Sequence, residues 1–444
     1  MLAQPFSMIS HLLYRLFNWS TSRPGSYAKA MMLACVSLFL RFRYACVRRR
    51  LKRVRGHRKL RVVFVIGDDC KWKGQMVYEA MLESRFYDPY IAPTVMDLGW
   101  IDDEKQPERL QKCRDFLAGK DNRLLDACDV IEGKAMPRPL REFSPDIVIY
   151  QQPWGMAEEQ APIAVSEYAL TFYMPYYIAA IGETWNMHGA PLFKILYGHF
   201  IENEDFLRYF KSMETKWHVG STMFPCGCPF REEIWRMAGC REKENCVIYA
   251  PHWSFENAEG NGKAGWSTFL TTGEPMLAFA KLHPEIKWIF KPHPMLRIKL
   301  EESKVWSKEK IDAYYGEWEK LGEACYSGDY IPLFYRSRAM ITDCLSFLSE
   351  YLILDRPLIR LEPQKAPFVA PPARKKFDAM YHVNDVTSML ETFDTVLVKN
   401  MDPMKETRHK VIHEIGLDRN DISIQIIQTL DKVLGIDVEN PFLD

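Results

Sequence analysis

Residues 339–361 read AMITDCLSFLSEYLILDRPLIRL. The run from Ala339 to Asp343 is apolar until its polar end, Ser346 to Leu354 carries apolar side chains at helical spacing, and Pro357 to Leu361 is apolar again apart from Arg360. Two short apolar runs with a helix between them describe a strand–helix–strand crossover, the connection that parallel strands require. A strand in such a sheet is apolar throughout, because helices cover both of its faces.

The same rhythm extends outward. Upstream stand CVIYAP (246–251), a helix over Glu274 to Leu282, and IKWIFKPHP (286–294). Further upstream come VVFVI (62–66), an amphipathic helix in WKGQMVYEAMLESRF (72–86), IAPTVM (91–96), DIVIY (146–150) and TFYMPYYI (171–178). Residues 217–245 are rich in Gly, Pro and Cys and interrupt the pattern. At 444 residues the chain is too long for one ordinary core. The expected class is therefore α/β, with two Rossmann-like, doubly wound domains facing a cleft. The expected parts are a basic, apolar membrane-associating segment (1–60), an acceptor domain (61–230), a nucleotide-donor domain (231–400) and a helical tail (401–444).

Composition removes several functions. A formal net charge of zero argues against a general nucleic-acid binder. Neither a Walker A segment nor a G-x-G-x-x-G turn is read in the chain, so nucleotide-hydrolase and dehydrogenase readings lose their main support. Eleven Cys without a secretory signal fit a reducing cytosol. Cys226, Cys228, Cys240 and Cys246 cluster, but their C-x-C start suits a structural zinc poorly, and no metal site is expected. The average hides one asymmetry. AMMLACVSLFL (30–40) precedes RFRYACVRRRLKRVRGHRKLR (41–61), which contains no acid. The apolar run falls short of the ~20 residues of a membrane span. With its basic flank it suits the surface of an anionic membrane, as a peripheral anchor whose removal leaves the rest folded.

Ligands of open α/β sheets bind beyond the carboxyl ends of the strands. Three groups stand at such ends. His188 lies in a turn before Pro191, where an imidazole can take a proton from an attacking hydroxyl; helix capping is the plainer reading. Lys291, His293 and Arg297 follow the strand WIF and make a diphosphate clamp, or an ordinary basic turn. Thr342, Asp343 and Ser346 open a helix that carries Glu350 one turn later, either an anion and ribose site or only a capped helix start.

Together these segments resemble the CDP-glycerol glycerophosphotransferase family, whose best-known members prime and polymerise wall teichoic acids. WNMHGAPLFK (185–194) is similar to its His-Gly-Thr-Pro segment and aligns His188 and Lys194. GCPFRE (227–232) brings in Arg231, and the Tyr249–Pro251 strand end brings in Pro251 and the adjoining His252. KPHP aligns Lys291 and His293. DYIPL (329–333) and MITDCLSFLSEYLILDRPLI (340–359) align Asp329, Thr342, Asp343, Ser346 and Glu350. The likeness is specific from about residue 180 to 362.

What the resemblance implies is a GT-B transferase with His188 and His293 catalytic and the remaining positions binding substrate. The donor would be CDP-glycerol or CDP-ribitol, the acceptor a lipid-linked or polymer hydroxyl, and the setting the cytoplasmic face of a bacterial membrane. No cofactor is required by this reading, with Mg²⁺ assistance at the diphosphate left open. A sugar-nucleotide glycosyltransferase and a non-catalytic scaffold of a polymer-assembly complex share the same architecture.

Overall fold

The computed structural model describes residues 8–21, 27–97, 103–178, 191–212, 222–238, 244–255, 265–326, 330–363 and 369–436. The chain forms two compact units. Unit 1 takes the chain up to Tyr177, the stretch ending at Glu232 and the segment from Asp421 onward; unit 2 takes Glu233–Asn420.

Unit 1 is built on β1 (Leu60–Ile66), β2 (Tyr87–Pro93), β3 (Ile147–Tyr150), β4 (Leu170–Tyr173), β5 (Gly198–Phe200) and β6 (Thr222–Phe224). All are parallel, in the order β2-β1-β3-β4-β5-β6. Alternation along β1 explains its continuous apolar sequence. Val62, Phe64 and Ile66 enter one core cluster while Val63 and Val65 enter another, so both faces are covered.

The N-terminal segment is part of this unit. α1 (Met8–Thr21) and α2 (Tyr27–Val54) are helices, and α2 runs for 28 residues, well beyond the apolar run expected from sequence. By length and composition it suffices to cross a membrane. Yet Leu33, Val36, Leu40, Tyr44, Val47 and Leu51 form a buried stripe in the core of unit 1. The Tyr44 hydroxyl shares a hydrogen bond with Thr171 Oγ1 (2.5 Å) and donates to the Ile195 carbonyl (2.7 Å). A removable anchor is thus the wrong description, because deleting residues 1–60 would strip one wall from a core and take Leu60 from the start of β1.

The expected tail is divided. Helix Ile422–Leu434 returns to unit 1, where Ile422, Ile426, Ile427, Leu430 and Leu434 are buried at helical spacing. Tyr87 Oη donates to Asp431 (2.5 Å), and Glu232 accepts from the Ser423 amide (2.7 Å). Helix Lys405–Glu414 remains in unit 2.

Unit 2 contains β7 (Cys246–Ala250), β8 (Lys287–Phe290), β9 (Glu323–Ala324), β10 (Ala339–Thr342), β11 (Leu358–Leu361) and β12 (Tyr381–Val383). Its order, β9-β8-β7-β10-β11-β12, is parallel throughout. The third, second and first strands run outward on one side and the fourth to sixth on the other. That is the Rossmann order, with its switch point between β7 and β10.

Candidate functional site

The loops after β7, β8 and β10 surround the switch point of unit 2. Register brings their ends level, with Phe290 beside Tyr249 and Thr342 beside Ala250. The Lys291 amide then donates to Tyr249 O (2.9 Å) and the His293 amide to Pro251 O (3.0 Å), which ties the KPHP turn to the end of β7. As a result the His252 and His293 rings lie 5.3 Å apart, with Trp253 6.0 Å from His293.

Backbone geometry also sets the tautomers. His293 Nδ1 accepts from the Met295 amide (3.1 Å) and His252 Nδ1 from the Ser254 amide (3.2 Å). Each ring with Nδ1 so engaged carries a proton on Nε2, a donor suited to phosphate oxygen. Burial holds His252 well below the usual imidazole range, down to about 4, so it is neutral at physiological pH. Lys291 is buried beside them, and a cation at that position suits an anionic ligand.

Asp343 serves a different purpose from the ligand contact expected of it. It is buried, and its oxygens accept from the His252 amide (2.5 Å), the Thr268 amide (2.6 Å) and Thr268 Oγ1 (3.1 Å). Burial raises it to about 6 despite these donors. Asp343 thus positions the loop that carries His252. Thr342 is also engaged internally, donating to Ala250 O (2.6 Å) and accepting from the Cys344 amide (2.9 Å). Ser346 is exposed at the start of helix Leu345–Tyr351, while Glu350 is buried and accepts from Tyr330 Oη (2.8 Å).

Two further expectations need correction. Arg297 bonds to Glu301 (3.1 Å) and pairs with Asp312 (2.5 Å) on an exposed surface, so its charge is already compensated there. Arg231 forms a buried pair with Glu202 (2.9 Å) inside unit 1, where it holds the helix starting at Pro229 and cannot greet substrate. Lys194 lies half-buried in unit 1 after Pro191. His188 and Asp329 lie outside the described residues.

Sequence reasoning passed over two features. Unit 1 has its own switch point, between β1 and β3, where Gln151 accepts from the Lys73 amide (3.1 Å) and the buried Lys73 ammonium sits 3.7 Å from the Phe230 ring centroid. Gln151 Nε2 and Gln152 Oε1 are buried there without a partner among the described residues. Only the strand order singles them out. The second corrects the expectation that no G-x-G-x-x-G is present: GNGKAG (260–265) has that spacing but stands well past β7, and only its Gly265 is described. A Cβ on Gly265 would meet the Ser254 carbonyl oxygen at 2.0 Å, so this close approach requires glycine.

Among the described residues one group, Asp68, Asp69 and Cys70 in unit 1, has ligand atoms within 4.8 Å of one another. Arg109 (2.7 Å) and Lys112 (3.3 Å) pair with its carboxylates.

Solved structures supply the comparison for this geometry. A UDP-N-acetylglucosamine 2-epimerase matches with a TM-score of 0.54 at 13% identity, over 86% of this chain and 98% of its own. The Neisseria meningitidis UDP-GlcNAc 2-epimerase, bound to UDP-GlcNAc, matches at 0.51 and 13%, over 84% and 100%. This chain has a GT-B-like fold. The wall teichoic acid polymerase TagF is also similar, at 0.48 and 12% over 94% of this chain and 100% of its own, a level that carries no argument about activity. No protein-family model matches the chain, and no curated protein does.

Proposed function

We propose that the chain is a transferase that moves glycerol phosphate, or a related polyol phosphate, from a CDP carrier to a hydroxyl acceptor in surface-polymer synthesis, at the cytoplasmic face of a bacterial membrane. The observation that carries a nucleotide-diphosphate donor is the pair of imidazoles, His252 and His293, beside buried Lys291 at the switch point of unit 2. The Nε2–H groups of His252 and His293 donate to phosphate oxygens, and Lys291 supplies the opposing charge. The acceptor oxygen attacks the β-phosphorus, the bond from that phosphorus to the bridging oxygen breaks, and CMP leaves with the bridging oxygen. His188 takes the acceptor proton. The choice of CDP-polyol rests on the sequence resemblance.

Titration calorimetry with CDP-glycerol, CDP-ribitol and UDP-GlcNAc tests the donor. CDP-glycerol or CDP-ribitol should bind, and His293→Ala should weaken it by ~10-fold or more, the scale of a lost charge-assisted contact. Arg297→Ala should leave it within twofold or so, since its charge is compensated elsewhere. Binding of UDP-GlcNAc alone would move the reading to a sugar-nucleotide enzyme. His188→Gln should keep donor affinity within a few fold while lowering kcat by ~10²-fold. Turnover that falls on chelation would add a metal to the scheme.

A further inference from the structure

α2 is apolar on two opposite sides, and unit 1 accounts for only one. At about 100° per residue, the exposed positions Met31, Cys35, Leu38, Phe42 and Cys46 lie about 180° from the buried stripe. Phe42 is 66% and Leu38 64% exposed, and Met8, Ile9 and Leu12 of α1 are exposed as well. A cluster of large apolar side chains facing water on a packed helix pair signals a docking surface, whereas scattered ones would not.

Charge decides what docks. Neither α1 nor α2 contains an Asp or Glu. Following the outward stripe beyond Cys46, the next positions are Arg49 and Arg53, flanked by Arg48, Arg50 and Lys52. The face therefore passes from apolar to strongly basic along its own length. Between them lies a groove of about 480 Å³, walled by Ile9, Phe39, Phe42 and Val47 and bordered by Arg43, Arg50 and Glu167. Arg43 is compensated by Glu167 (3.5 Å), whereas Arg50 bonds only to the Tyr168 carbonyl among the described residues and keeps its net charge.

We propose that this outward face is the surface on which the protein lies against an anionic lipid bilayer. Leu38, Phe42 and Ile9 enter the acyl boundary, Arg50 and its basic neighbours meet headgroup phosphates, and the groove seats part of a lipid. α2 lies along the interface, because a span would require withdrawing its other stripe, with Tyr44, from the core of unit 1. The inference deepens the membrane placement proposed above, replacing a detachable basic arm with a docked helix pair, and it is independent of the donor.

The test is co-sedimentation of the full chain with vesicles of phosphatidylcholine alone and of equal phosphatidylcholine and phosphatidylglycerol, with nucleotide binding measured on the same preparations. The intact chain should pellet with the mixed vesicles and far less with phosphatidylcholine. Leu38→Ser with Phe42→Ser leaves the charge untouched and should weaken binding by roughly tenfold or more. Arg49→Gln with Arg53→Gln should weaken it several fold and flatten its salt dependence. Each replaced side chain is exposed, so melting temperature and nucleotide affinity should stay at parental values. Failure of the intact chain to bind mixed vesicles overturns the proposal and leaves the donor reading standing. Unchanged vesicle binding by the serine variant also overturns it, and if that variant turns a dimer into a monomer the face joins two copies instead. Displacement from vesicles by millimolar inorganic phosphate would overturn it in favour of a free-anion site.

Discussion

Asp343 and His252 are joined by a hydrogen bond from the His252 amide, and burial moves them in opposite senses. Asp343 has its folded value raised from 3.8 to about 6, so between those values the folded chain holds more protons at this site than the unfolded chain. Its contribution to stability falls as pH rises through that window, by on the order of 3 kcal/mol. His252 is lowered from 6.5 to about 4, so there the unfolded chain holds more protons. Its contribution rises with pH across nearly the same window and is lost on acidification. The intact pair should show a shallow pH dependence of stability between about pH 4 and 6.5. Asp343→Asn should expose a profile that climbs with pH, and His252→Gln one that descends. Denaturant unfolding at a series of pH values measures both slopes, and parallel profiles in the two variants would rule out the pairing. Neither shift was legible in the sequence, because both arise from burial, and the loops that enclose these two side chains meet at the strand ends only after folding.

Elements were legible where apolar runs were long enough to carry a period. β1, β3, β7, β8, β10 and β11 coincide with the apolar runs read first. β5 and β6 are three residues each, too short to show one, and β9 has two. β2 begins at Tyr87, four residues before the expected run, and so includes Pro89, which is tolerated since β2 is an edge. The helix expected from Glu274 begins instead at Phe269 and continues through Pro275 to Leu282. α2 was misjudged for a different reason. Apolar residues on both sides blur its periodicity, and its length became evident only from the stripe buried against unit 1. That stripe supports a quantitative expectation. Leu40→Ala should cost about 2–5 kcal/mol, the range for emptying a packed leucine site, whereas Leu38→Ala, one turn face away, should cost under about 0.5 kcal/mol. Guanidinium unfolding of both variants separates them, and equal losses would mean that the inward and outward faces are wrongly assigned.

Each unit closes around its own core. Unit 1 surrounds its sheet with α1, α2 and the returning helix Ile422–Leu434, and unit 2 has a separate cluster around Tyr249, Phe290 and Trp318. The alternating sequence implied two such bodies, but it held no hint that the chain returns from one to the other, since an amphipathic terminal helix carries no address for the surface it will cover. The return has a consequence for unfolding. Calorimetry of the full chain should resolve two transitions, and a saturating donor nucleotide, bound in unit 2, should raise one of them; at a hundred times its dissociation constant the gain is about 2.7 kcal/mol. Ending the chain at Asn420 should lower the other transition, because Ile422, Ile426, Ile427, Leu430 and Leu434 leave together and uncover the apolar surface they protected. The nucleotide-sensitive transition should keep its midpoint in the truncated chain, with Kd unchanged. If truncation lowers the nucleotide-sensitive transition instead, the terminal helix supports unit 2 and the division at Asp421 is wrong. If both transitions fall together, the two cores unfold as one cooperative body.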